Sequence, residues 1–539
     1  MLLSLLPALL SFTVVSAASV QVGRTSFVGN YDTTTGVEEF LGIKYGTATR
    51  FRQATPVSYS TRNTINATIH GPACPQIKGT NSLAVDYGIY GTDEDCTLLD
   101  IQRPHSIPPG KLLPVMVWLH GGALTQGASW YYSGNGIVQQ STAIGMPVIT
   151  VIIQYRLAAW GFLGGSEASA NGAQNLGLYD QKLALQWIQD NIKSFNGDNS
   201  KVTVFGQSSG AMSITYHMLN VNTMLFSGAI LESGTTTSVP CLPSEKYQGN
   251  YEALVGIVGC GGAADTFECL RTVDRDVLID ATNVMFSQPL VYGSRPWGVT
   301  IDGDIIPASP SILTAQGKFA EIPIIAGNVM DEGTIFVKPQ SISADADLLI
   351  FLENDYRNRN ASFFQNITSI QNLLSLYPDD PTLGSPFGTG NVTFFGEQFK
   401  RAAAVYGDIH FQWPRRNFLS AVVAKGVDAW SYIFDQFTST NAQWQGVYHT
   451  GEIPYVFMKF TPADEALYTL AKQVHAYWVS FAYNRDPNFS KNQDWDRYHI
   501  SNSNIVFVAN ATFMQPDTFR VANTNFIGSI SDQLLEAKL

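Results

Sequence analysis

Basic residues are scarce in this chain. Lys and Arg number 32 against 44 Asp and Glu, a net charge of −12, so the positive footprint that nucleic acid binding requires is missing, and no polybasic stretch is present to hold an anionic membrane surface. Charged residues make up only 14% of the 539, while apolar residues reach 45% and aromatics 12%. That balance excludes disorder and implies a sizeable buried core. Beyond the N-terminus no apolar run approaches the roughly 20 residues of a membrane helix, and no stable membrane anchor is expected. Internal repeats, low-complexity tracts and Pro/Ser-rich linkers are also lacking, which argues for one domain with insertions. Cysteines are few, five in all. In an exported chain that number suggests two bridges and one remaining thiol, with the pairing left open.

What is present begins with "MLLSLLPALLSFTVVSAAS", an apolar run ending in small residues, where Val15-Ser16-Ala17 fits the small-x-small rule for signal cleavage. A secretory signal is therefore expected over residues 1–17, followed by a single catalytic domain over 18–539, although the first segment has no Lys or Arg. Six Asn-x-Ser/Thr sequons, at Asn66, Asn360, Asn366, Asn391, Asn488 and Asn510, fit a secreted, extracellular glycoprotein. The terminal Ala537-Lys538-Leu539 is similar to a peroxisomal address, which a secretory signal would override.

Short β-branched runs alternate with helical patterns: "PVMVWLH", "PVITVIIQYR", "KVTVFG", "GAILESG", "IPIIAGN" and "AWSYIF". Strands apolar on both faces imply a mostly parallel sheet covered by helices, and "LGLYDQKLALQWIQDNIKSF", with Leu183, Trp187, Ile188 and Ile192 at helical spacing, predicts a crossover helix. The sequon-bearing stretch 338–400 reads as an exposed peripheral insertion.

Chemistry enters at Gly206-Gln207-Ser208-Ser209-Gly210. Alone, Gly-x-Ser-x-Gly is a weak signal, and a structural turn is the bland reading. Here a strand ending at Phe205 leads in and a helix starting near Ser209 leads out, which is what a nucleophile elbow requires. A serine hydroxyl needs a base to attack and preorganised donors for the oxyanion it creates. "WLHGGAL" follows an apolar strand and puts the N–H groups of Gly121, Gly122 and Ala123 where, with that of Ser209, they can form an oxyanion hole. The acid and histidine should follow in that order, each after a strand. Glu332 and its neighbour Asp331 follow "IPIIAGN", and His449 follows "AWSYIF"; His410 and His475 also come after the acid but lie in helical runs.

These stretches, with "FLGIKYG", "EDCTLLDIQRP", "QYRLAAWGFLG", "TIDGDIIP", "AGNVMDEGT" and "HTGEIPYVF", run in order through most of the chain. The sequence resembles the type-B carboxylesterase/lipase family, which includes cholinesterases and fungal esterases and lipases. The resemblance implies an α/β-hydrolase fold, a large mostly parallel central sheet covered by helices with peripheral insertions. It also implies a serine carboxylesterase with the triad Ser208, Glu332 and His449, and bridges Cys74 to Cys96 and Cys260 to Cys269 that leave Cys241 a buried thiol. Acyl transfer of this kind calls for no metal and no organic cofactor, only a small-molecule ester. Cholinesterases carry glutamate at the position of Gln207 and a tryptophan in the loop between Cys74 and Cys96; this loop has Tyr87 and Tyr90. A neutral ester is expected, soluble or short in its acyl chain because the loop is shorter than the flap of related lipases, with Trp297 a candidate for lining a longer acyl pocket. The alternatives are an interfacial triacylglycerol or sterol-ester lipase and a non-catalytic scaffold or adhesion protein. Arg156 and Asp180 read as buried structural charges.

Overall fold

The runs predicted as strands are strands, and the central ones have no solvent-facing side. The computed structural model describes residues 16–77, 90–221, 224–292, 294–337, 342–355, 362–438, 440–489 and 493–535. Its N-terminal strands are β1 (Ser16–Val22), β2 (Thr25–Asp32), β3 (Val37–Lys44), β4 (Gly46–Thr49), β5 (Arg52–Pro56) and β6 (Asn63–Asn66). Next come β7 (Leu98–Pro104), β8 (Leu113–Leu119), β9 (Ile149–Ile153), β10 (Gly197–Gln207) and β11 (Gly228–Glu232). A small pair, β12 (Leu242–Pro243) and β13 (Thr300–Ile301), precedes β14 (Ile324–Val329), β15 (Ala429–Phe434), β16 (Ser503–Phe507) and β17 (Phe513–Pro516). Every residue of β8, β9, β11, β14 and β15 is buried, as strands covered on both faces must be.

The main sheet runs β1-β2-β3-β7-β9-β8-β10-β11-β14-β15-β16-β17, with β6 beside β2. From β9 to β16 the pairing is parallel, as expected. Both ends are antiparallel: β1 through β7 to β9, and β16 with β17. Short turns join several of these strands, and antiparallel pairs need no crossover. The predicted crossover helix spans Leu176–Asn191 between β9 and β10. It buries Leu185, Trp187 and Ile188 on one face of the sheet, while Trp118, Phe205, Trp430 and Trp478 pack on the other.

Stretch 338–400 departs from its reading as a merely exposed insertion. Leu348, Leu352, Phe363 and Leu373 bury a third apolar cluster with Ala402, Val405, Ile527, Ile530 and Leu534. The sequence signal was masked because the helical stripes are short and separated by polar, sequon-bearing turns. Residues 1–15, most of the expected signal, lie outside the described residues; Ser16 and Ala17 open β1 opposite Tyr31 and Asn30. No helix among the described residues is long and apolar enough to cross a membrane.

Arg156 and Asp180 are a structural pair. They are 1% and 0% exposed, and Nε and Nη2 of Arg156 each donate to the carboxylate at 2.7 Å. Nη1 donates to the carbonyl oxygens of Thr49 and Arg52 at 3.2 and 2.6 Å, tying the β4–β5 hairpin to the crossover helix. Asp180→Ala strands a buried guanidinium and should cost about 3–5 kcal/mol in urea unfolding. A loss under about 1 kcal/mol would contradict this reading.

Candidate active site

The turn after β10 is forced by its neighbours. Ser208 has φ 57° and ψ −126°, left-handed backbone that a non-glycine residue adopts only when its surroundings hold it. They do: the Ser208 N–H donates to the Glu232 carbonyl at 2.8 Å, and the Ser208 carbonyl accepts from Met212 N–H at 2.9 Å in the helix Ser209–Met218. A Cβ at Gly210 would lie 2.0 Å from the Leu119 carbonyl oxygen. Only glycine lets this helix start so close to β8. The strand extends to Gln207, two residues past the predicted end.

Glu332 and His449 meet. His449 Nδ1 donates to Glu332 Oε2 at 2.5 Å, and the other carboxylate oxygen accepts from Asn328 Nδ2 and the Val329 N–H, both at 3.0 Å. The Phe336 and Phe411 rings flank the imidazole with centroids 5.1 and 4.7 Å away. Both members of the pair are buried, while Ser208 is half-buried. Since Nδ1 carries the proton given to the carboxylate, Nε2 presents a lone pair. Nε2 lies 3.1 Å from Nε2 of Gln207, the residue preceding Ser208. The imidazole thus sits against the residue that precedes Ser208, with no hydrogen bond from Ser208 Oγ to the imidazole among the described residues.

The loop 120–124 bends back on itself, with φ of 103° at Gly122, 55° at Ala123 and 62° at Leu124. Its carbonyls and side chains are tied down. Tyr155 hydroxyl donates to His120 O at 2.6 Å, His120 Nδ1 to Gly121 O at 2.8 Å, and Thr125 N–H to Gly122 O at 3.0 Å. Ser209 Oγ accepts from Leu124 N–H at 3.2 Å. Burial pushes His120 down to about 4, so its imidazole is neutral. The N–H groups of Gly121, Gly122, Ala123 and Ser209 donate to no acceptor among the described residues.

Asp331, the rival acid, is turned away from His449. Oδ1 accepts from Ser385 Oγ at 2.8 Å and Phe387 N–H at 2.9 Å, and Oδ2 from Val447 N–H at 2.9 Å. Burial pushes its carboxyl up to about 6; it is a clamp on the loop that carries His449. His410 gives Nδ1–H to Ser238 O, and His475 gives Nε2–H to Ile137 O. Two acids beside the site escaped the sequence reading. Glu232 is fully buried, accepts from Trp478 Nε1 at 2.8 Å and is pushed up to about 8 by burial. Glu452 is also raised, by burial first and then by Glu232 and Glu332. A glutamate inside the apolar run "GAILESG" was the available signal.

Cys74 is bonded to Cys96 and Cys260 to Cys269, with Cys241 buried outside both bridges. Asn66, Asn366, Asn391, Asn488 and Asn510 are exposed, and Asn360 lies outside the described residues. The Asn488 amide is engaged, its Nδ2 donating to Asp486 Oδ1 and Trp495 O. Tyr87 also lies outside the described residues; Tyr90 packs 5.8 Å from Trp130, and Trp297 is buried in the larger core. Among the described residues no group of three or more His, Cys, Asp or Glu is placed to hold a metal ion.

An elbow after β10, a carboxylate after β14 and a histidine after β15 define an α/β-hydrolase of the serine-hydrolase type. Residues 16–526 match the Carboxylesterase family, and the chain belongs to that family; it is a carboxylic-ester hydrolase. It is similar to "Lipase 2" of Geotrichum candidum, 34% identical over 90% of this chain and 91% of that one. "Secreted lipase 1" of Botryotinia fuckeliana is 35% identical over 91% and 89%. Among solved structures, Aspergillus niger EstA shares the fold with a TM-score of 0.82 at 24% identity, over 96% of this chain and 99% of that one.

Gly210→Ala tests the elbow. The added methyl must push the helix off β8, and we expect a cost of about 1–3 kcal/mol together with loss of ester turnover. A variant with unchanged melting temperature and rate would contradict the packing described.

Proposed function

We propose that Ser208 is the nucleophile, His449 its general base and Glu332 the acid that orients and compensates the imidazolium. The reading is carried by the buried 2.5 Å hydrogen bond from His449 Nδ1 to Glu332, beside a serine held in left-handed backbone. As Ser208 Oγ attacks an ester carbonyl, its proton passes to His449 Nε2, and charge gathers on the carbonyl oxygen. The Gly121, Gly122, Ala123 and Ser209 N–H groups receive that oxyanion, each donor contributing roughly 10²–10³ in rate. Collapse expels the alcohol with the proton held on Nε2. Water then repeats the sequence on the acyl-enzyme and releases the acid.

The substrate is a neutral ester, because Gln207 brings an uncharged amide to the site and a cationic alcohol gains no carboxylate there. We favour soluble, short-acyl esters. A second reading, an interfacial lipase, is favoured by the names of the relatives, both lipases. Export through a signal over 1–17 is supported by the relative named a secreted lipase and by the exposed sequons.

Ser208→Ala and His449→Ala should each lower kcat/KM on 4-nitrophenyl butyrate by at least about 10⁴-fold, and a phosphonate probe should label Ser208 in the parent. An unlabelled, folded parent would instead support a non-catalytic scaffold. On tributyrin, a rate that saturates below the solubility limit supports the soluble-ester reading; a jump above that limit supports the lipase.

A further inference from the structure

Gly-x-Ser-x-Gly leaves its second position open, and here that position carries a side chain the proposed mechanism does not use. Gln207 is buried at the end of β10, with its amide wedged between two parts of the site. Nε2 lies 3.1 Å from Nε2 of His449. Oε1 faces Gly121, where an added Cβ would come within 3.0 Å of it and within 3.1 Å of Ser208 Cβ. Because His449 commits its Nδ1 proton to Glu332, the Nε2 lone pair is the acceptor and the Gln207 N–H the donor. One in-plane lone pair serves one strong donor. It is the same lone pair that must take the hydroxyl proton of Ser208.

Resting on the triad reading above, we propose that Gln207 is a positioning residue that caps the base of the resting enzyme. Its amide N–H occupies His449 Nε2 until substrate binding moves the amide aside and the Ser208 hydroxyl replaces it. Two consequences follow from the hydrogen-bond chemistry. Donation into the lone pair is lost once Nε2 is protonated, so a variant without the donor should accept a proton there more readily. Once Nε2 has taken the serine proton, it can no longer accept; the amide N–H becomes an opposed donor and must remain displaced or turn to offer Oε1. The missing Cβ at Gly121 is what lets the amide sit beside this loop, since an added Cβ would stand 3.0 Å from Oε1.

The titratable groups around His449 are constant in this comparison. Glu332 holds Nδ1, and Phe336 and Phe411 flank the ring. Glu232 and Glu452 interact with each other, Glu452 with Glu332, and the Tyr432 phenol with all three; burial first, then these acids, raises Glu452 and Tyr432. Asp331 faces Ser385, Phe387 and Val447. None of these residues is altered when Gln207 is replaced, so the difference between parent and variant reports the amide.

The experiment is kcat/KM against pH for a 4-nitrophenyl ester with the parent, Gln207→Met and Gln207→Glu, alongside the nitrogen-15 signal of His449 Nε2 in histidine-labelled, substrate-free protein. Methionine fills the space without donating. We expect its acid limb to rise by about 0.5–1 pH unit, the Glu variant to rise further through its charge, and the Nε2 signal to move in both. An acid limb that stays put or falls in the Met variant, with an unmoved Nε2 signal, overturns the proposal. If the Met variant does not fold, Gln207→Leu, which also fills the space without donating and adds no charge, decides by the same two readouts. Failure of the triad reading itself would show separately, as full activity in His449→Ala.

Discussion

A carboxylate and an imidazole placed together away from water form a stable pair only if every remaining lone pair and proton finds a partner and neither group can turn. The contact between Glu332 and His449 meets that condition from several sides. Asn328 and the Val329 N–H hold the far oxygen of the carboxylate, two phenylalanine rings bracket the imidazole, and Asp331 clamps Val447 two residues before the histidine. The consequence is a fixed tautomer. With Nδ1 committed to Glu332, only Nε2 can act as a base, and its direction is set by the fold before any ester arrives.

That fixed direction is useful because the parallel strands all end on one edge. β10, β11, β14 and β15 are consecutive neighbours in the sheet, so the serine, the acid and the histidine emerge from three loops at the carboxyl ends of nearby strands, where open α/β sheets bind their ligands. β8 completes the arrangement from the other flank of β10. Its loop brings the Gly121–Ala123 amides to the elbow, and Leu119 sets how closely the elbow helix approaches. Strain at Ser208 is balanced by the hydrogen bonds to Glu232 and Met212.

The central sheet was legible because continuous apolar runs such as "PVITVII" have one physical solution, burial on both faces. The elbow was legible because two glycines around a serine answer a steric demand that no other residue meets. The antiparallel flanks were harder to see: burial alternates along β1 and β2, but several of the inward residues are small or polar, as at Ala18, Thr25 and Gly29, and β3 breaks its alternation at a bulge between Phe40 and Ile43. The hydrophobic cluster of the 338–400 region was hidden by its polar turns. At the site, residue type and order pointed to Ser208, His449 and one of two adjacent acids; the family resemblance pointed to Glu332 over Asp331, and the coordinates supply the physical difference, the direction each side chain takes. The contact of Gln207 with His449 and the buried Glu232 and Glu452 depend on long-range packing with separations no local pattern encodes.

The most direct measurement of the central claim is the proton spectrum of the His449 imidazole. The account predicts a strongly downfield Nδ1–H resonance in the substrate-free parent, slow to exchange and present across neutral pH, and absent from Glu332→Ala while the fold persists. A spectrum without that resonance, or one that keeps it when Glu332 is removed, would contradict the arrangement on which the site is built.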